Sequence, residues 1–224
     1  DVGTNNFGTV VITSGSNVSL VDANALILGA STVSGTLGVT TASGVTVSAN
    51  VTSAGVTTID ADSDNNGSGD FTVASSQTLS ITNSALSITA NDMDLSGSLT
   101  SGSAATTLLV SDGGTIVLGS AGGGGLNLTN AELQSITASV LTIGDGTAGA
   151  ITISSDVTPG ASSGSGVATV SLITGGAITG TAGGIIETNL ALTASGTINV
   201  TDANTDVDFL AISAAGRTVT FTDA

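Results

Sequence analysis

The chain has 224 residues, 40% of them hydrophobic and only 8% charged, with 32 Gly, 1 Pro and neither Cys nor His. Its formal net charge is -16, from 17 acidic residues against one cation, Arg217, which excludes nucleic acid as a partner because phosphate binding needs Lys and Arg to release counterions. A mean hydropathy of +0.49 separates it from polar disordered tracts, which lack the apolar surface to fold.

In chain order, Thr9 to Thr13 and Asn17 to Val21 read as opening strands, followed by Ala25 to Leu28, Thr36 to Val39 and Val45 to Val47. Each run alternates apolar and polar residues and ends in Gly, Asn, Asp or Ser, the pattern of a half-buried strand closed by a turn. Phe71 to Val73, Leu79 to Ile81, Leu86 to Ile88 and Met93 to Leu95 have the tightest spacing and predict the most regular wall. Leu108 to Val110 and Ile116 to Leu118 come next, then Gly122 to Gly125, whose lack of Cβ suits a sharp corner or a protruding loop.

The pattern is clearest from Leu126 to Ile153, where Leu126-Asn127-Leu128, Leu141-Thr142-Ile143 and Ile151-Thr152-Ile153 repeat one strand unit. Asn130 to Gln134 is helix-like for about one turn and predicts a corner. Pro159, in Val157-Thr158-Pro159-Gly160, cannot donate to a ladder and marks a loop. Val167 to Val170, Ile185-Ile186, Leu190 to Leu192, Ile198 to Val200, Val207 to Ala211 and Val219 to Phe221 carry the pattern onward. Internal echoes run through it: Ala42-Ser43-Gly44 returns as Ala194-Ser195-Gly196, and Val21-Asp22-Ala23-Asn24 as Thr201-Asp202-Ala203-Asn204.

Strand starts recur every seven to eleven residues or so, which makes a three-strand coil of about 20 to 27 residues and a stack of about eight to eleven coils. The expected fold is therefore all-β, a parallel β-helix formed as one continuous segment over 1–224. Antiparallel immunoglobulin-like sandwiches would use large aromatic core anchors, and this chain has only Phe7, Phe71, Phe209 and Phe221. An outer-membrane barrel would need aromatic girdles, and no apolar run approaches the length of a membrane-spanning helix.

Asn130-Ala131-Glu132-Leu133, Ile136-Thr137, Leu141-Thr142-Ile143-Gly144 and Gly149-Ala150-Ile151-Thr152-Ile153 together resemble the repeats of large exported proteins related to filamentous haemagglutinin. The resemblance implies a right-handed parallel β-helix, secreted by a two-partner system and serving as a surface adhesin or matrix fibre. Extracellular location is expected from the same resemblance, in keeping with a sequence that carries no membrane-spanning signal. The expected partners are further coils of its own chain or further copies end to end, because strands run close to both ends with no capping element between; a cell-surface or glycan target is the alternative.

Enzyme chemistry is not expected. Asp92 and Asp94 are spaced to share a face opposite Met93 and Leu95, which predicts a solvated pair rather than two carboxylates across a glycosidic bond. Ser and Thr are abundant, yet no His, Lys or Cys is present to activate a nucleophile. Arg217 reads as a surface residue pairing with a neighbouring carboxylate.

The sharpest site-like cluster is Asp60-Ala61-Asp62-Ser63-Asp64-Asn65-Asn66-Gly67-Ser68-Gly69-Asp70. Alternate Asp residues followed by Asn and Gly resemble the start of a Ca²⁺ loop, making Asp60, Asp62, Asp64 and Asp70 the candidate metal ligands. Asn65 stands where the sharp-turn Gly would be, and Phe71 where the closing Glu would be, so an acidic, turn-rich surface loop is the competing reading. Asp202, Asp206 and Asp208 are a weaker candidate. Five Asn-X-Ser/Thr matches, at Asn17, Asn50, Asn66, Asn127 and Asn199, carry little weight in a chain so rich in Ser and Thr.

Overall fold

A computed structural model describes residues 5–159 and 166–224. Asp1 to Thr4 and Gly160, at the end of the loop expected around Pro159, lie outside the described residues. Strands fall into four sheets in which every pairing is parallel, and the chain is a parallel β-helix. Parallel pairing suits the sequence pattern: runs of three to five residues separated by small turns bury their apolar side when each is stacked on its equivalent one coil away.

The longest wall has nine strands, in the order Val18–Asp22, Leu37–Thr41, Thr57–Asp60, Leu86–Ala90, Ala105–Val110, Val140–Ile143, Val170–Thr174, Ile186–Ala194 and Asp206–Ser213. Its register aligns Val18, Leu37, Thr57, Leu86, Thr106, Leu141, Val170, Leu190 and Leu210. Five of the eight steps between these positions are 19 or 20 residues, and the other three are 29, 35 and 29. The basic coil thus sits at the short end of the expected range, and three coils carry insertions. Nine levels at the strand spacing of roughly 4.8 Å give a rod about 40 Å long.

Inside this wall, Val39, Ile59, Ile88, Leu108, Ile143, Leu172 and Leu192 form one column in which no member is more than 1% exposed. The coil is too narrow for many aromatics; Phe71 alone is fully buried, and Phe7 and Phe209 are exposed. Small hydroxyls occupy inner corners, where they satisfy carbonyls the strands leave free: Thr41 Oγ1 donates to the Gly44 carbonyl at 3.1 Å and Ser53 Oγ to that of Gly35 at 3.0 Å. Such polar inward positions hid the strands Thr57–Asp60, Ser31–Val33 and Val51–Ser53 from a search for apolar alternation, and Ser98–Thr100 offered it only one apolar residue, Leu99.

A second wall stacks Ser31–Val33, Val51–Ser53, Thr78–Ile81, Ser98–Thr100 and Ile136–Thr137. The remaining wall is divided. Its lower part is Thr9–Val10, Leu26–Leu28, Val45–Val47, Phe71–Val73 and Met93–Leu95; its upper part begins Leu126–Thr129, Ile116–Gly119, Ile151–Ile153 and continues to Val219–Phe221. The run expected to be most regular therefore ends at a break, directly after Met93–Leu95.

At the break the chain order inverts. Ile116–Gly119 pairs in parallel with Leu126–Thr129 although only residues 120–125 connect them, where parallel neighbours usually need a dozen or more residues. The return is made by the predicted Gly run: Gly122 and Gly125 have φ of 96° and 85°, and a Cβ on Gly125 would lie 2.3 Å from the Thr115 carbonyl oxygen. Asn130–Gln134 then forms a single helical turn, capped by Thr129 and Glu132 in a reciprocal box, and leads into Ile136–Thr137.

Candidate functional site

Two places gather polar side chains: the acidic loop 60–70 and the break in the divided wall. In the loop, the four candidate metal ligands do not converge. Among the described residues no three carboxylates are grouped so as to hold a metal ion. Asp62 is 0% exposed and turned inward, where Oδ1 accepts the Asn66 N–H at 3.3 Å and Oδ2 accepts the Gly67 N–H at 3.1 Å and the Ser111 hydroxyl at 2.6 Å. A single buried carboxylate thus ties this loop, six residues longer than its counterpart one coil below, to a coil further along the chain. Asp64 accepts from Asn66 Nδ2 at 2.7 Å and Asp70 from Asn91 Nδ2 at 3.1 Å, both on the outside.

Asp60 has its carboxyl raised above the ordinary value, chiefly by burial. The Asp62 N–H bonded to it works in the opposite direction, and the charge of Asp62 adds a further upward push. Asp206 and Asp208 are exposed on the last strand of the nine-stranded wall, and Asp202 accepts the Asn204 N–H at 3.0 Å in a turn. Arg217 donates through Nε to the Ser195 carbonyl at 2.6 Å, and among the described residues it does not form the expected pair with a carboxylate.

At the break, strands Met93–Leu95 and Leu126–Thr129 face one another without forming a ladder. Two carboxylates take the place of the missing backbone acceptors. Asp92 Oδ1 accepts the N–H of Met93 at 2.9 Å and that of Asn127 at 2.8 Å. Glu132 accepts the Leu95 N–H at 3.1 Å through Oε1 and the Thr129 N–H at 2.8 Å through Oε2. Each carboxylate therefore holds one amide from each side. Asp94 alone of the expected solvated pair is fully outside, bonded to Ser96.

A groove of about 560 Å³ opens at this junction, lined by Asp92, Asp94, Leu95, Gly122, Asn127 and Glu132 among others. Its charged side chains are all acidic. Asn127 is 6% exposed, and its Oδ1 has no hydrogen-bond partner among the described residues. The amide orientation is fixed, since Nδ2 donates to the Gly125 carbonyl at 2.7 Å and reaches Asp92 Oδ2 at 3.4 Å, where the reverse orientation would oppose acceptor to acceptor. Burial also removes Asn127 from the surface sequons.

The bridging roles of Asp92 and Glu132 were missed from sequence. The Thr129-Asn130-Ala131-Glu132 spacing did carry a capping-box signal, but nothing in it pointed to Leu95. Asp62 and Ser111 are 49 positions apart, and only the coil register brings them together.

Among known protein families, the model of one described as repeats of unknown function (DUF5649) matches residues 15–78. The match covers the first coils, including the acidic insertion, and less than a third of the chain. No curated protein and no solved structure matches.

Proposed function

We propose that this chain is a length of structural shaft from an extracellular adhesin or matrix fibre of the filamentous-haemagglutinin type, without catalytic activity of its own. The observation that supports the reading is the nine-stranded parallel wall, which runs from Val18 to Ser213 with Ser and Thr predominant on its outer face. A stack of this kind resists extension because its ladder bonds and core columns are shared between all neighbouring coils. The chain has neither Trp nor Tyr and a single Arg, Arg217, and so offers little of the anchor chemistry that dominates recognition hot spots.

Further coils stack on this one, from the same chain or from other copies. On the last strand of the long wall, Leu210 and Ile212 continue the inward columns and are 40% and 37% exposed, while their neighbours Leu190 and Leu192 are 2% and 1% exposed. A coil laid on that edge would cover them and pair the open backbone. Surface deletion tests the reading: removing this segment from the parent fibre should shorten its reach in micrographs while the isolated segment binds nothing on a glycan array. Saturable binding by the isolated segment would favour the alternative, a glycan- or protein-binding module, with the acidic groove as the place to look.

A further inference from the structure

Asn66-Gly67 is the single Asn-Gly pair in the chain, and it lies exposed on the acidic insertion. Closure of an Asn side chain onto the next backbone nitrogen requires three things: an electron-rich nitrogen, stabilisation of the negative charge that develops on the side-chain oxygen, and departure of the side-chain nitrogen as ammonia. Each of these atoms has a fitting partner here. The Gly67 N–H donates to Asp62 Oδ2 at 3.1 Å, which leaves its nitrogen richer in electrons. Ser68 Oγ donates to Asn66 Oδ1. Asn66 Nδ2 donates to Asp64 Oδ2 at 2.7 Å, where a forming ammonium would be welcome. Gly67 carries no side chain to crowd the attacking nitrogen, and its φ of 75° suits glycine.

We infer that the folded loop makes Asn66-Gly67 a self-modification site, at which Asn66 closes to a succinimide and then opens to aspartate or isoaspartate. In the first step the Gly67 nitrogen bonds to Asn66 Cγ, its proton passes to solvent, the Cγ–Nδ2 bond breaks and ammonia leaves with a proton taken from water. In the second step water adds to either ring carbonyl and reopens the ring. Nothing is oxidised or reduced, and water is the single co-reactant. The product carries one more negative charge beside Asp64, and the isoaspartyl form lengthens the backbone by one carbon inside the span gripped by Asp62, loosening the insertion from Ser111.

The test is peptide mapping by mass spectrometry of the whole protein aged at neutral pH, against a synthetic peptide of residues 60–72 as the reference without the fold. The expected result is an ammonia-loss species followed by the hydrolysed product, both confined to the peptide containing Asn66, forming about tenfold faster in the folded protein than in the free peptide. Ser68→Ala, at an exposed position that leaves the fold intact, should remove most of that advantage, and Asn66→Gln should abolish both species. A folded rate equal to or below that of the peptide, or a Ser68→Ala rate equal to the parent's, would overturn the inference.

Discussion

Coils below Met93–Leu95 and the junction above it solve one problem by different means. In the lower coils each strand edge is satisfied by the backbone of the next, as when Val45–Val47 pairs in register with Phe71–Val73. At the junction the strand that arrives, Leu126–Thr129, comes from the wrong side in chain order, and its edge amides meet those of Met93–Leu95 through Asp92 and Glu132. Backbone pairing is indifferent to side-chain identity, so the lower wall tolerates Val, Phe, Leu or Met at equivalent places. Pairing through carboxylates is not, and it makes the junction depend on two acidic side chains.

The largest effect should come from attacking what both regions share. Ile143 lies in the column between Leu108 and Leu172 and is 0% exposed, so Ile143→Asp places an unpaired charge in a dry stack at a cost of about 4 kcal/mol or more. Loss of the cooperative melting transition in circular dichroism is the expected result.

Next in size are the two bridging carboxylates. Asp92→Ala or Glu132→Ala strands two amides at once, which should cost about 2 kcal/mol in denaturant titration, whereas Asp94→Ala on the same strand should change stability by under about 0.5 kcal/mol. Equal effects at Asp92 and Asp94 would mean that the junction is held by something else.

A smaller effect separates a loop fastened by hydrogen bonds from one fastened by metal. Asp62→Ala removes the contacts to Asn66, Gly67 and Ser111 and should lower the melting temperature by the same amount with chelator or with millimolar Ca²⁺ present. A calcium-dependent gain in the parent that Asp62→Ala abolishes would restore the four-aspartate site.

The smallest effects are in pH dependence, and they have opposite signs. Asp60 has a raised folded pKa, so the folded state holds its proton more tightly than the unfolded chain, and stability falls as pH rises from the ordinary carboxylate value through the raised one. Asp60→Asn should therefore raise the melting temperature at neutral pH and leave it unchanged in acid. Asp145 has a lowered folded pKa, chiefly through the Thr147 hydroxyl, with partial burial opposing and the Thr147 and Ala148 amides adding to the lowering. Its contribution is present above the ordinary carboxylate value and is lost as pH falls through the lowered one, so Asp145→Asn should lower the melting temperature at neutral pH only.

What the sequence determined by itself was the strand unit and its stacking. Val45–Val47, Phe71–Val73, Met93–Leu95, Ile198–Val200 and Val219–Phe221 lie where period-two alternation put them, because burying one face of a short strand requires that alternation and little else. The helical corner at Asn130–Gln134 was legible for a similar reason, being a local matter of capping and propensity. Tertiary structure alone decided the order of the strands and the use of the carboxylates. Whether Leu126–Thr129 lies above or below Ile116–Gly119 changes no residue's inward or outward facing, so hydrophobic pattern is blind to it. From sequence, Asp62 is a candidate metal ligand or a loop acid, Asp92 a solvated acid and Glu132 part of a helical corner; coil register is what brings amides and a hydroxyl from distant residues to their oxygens, and that register is set by the length of every insertion between them.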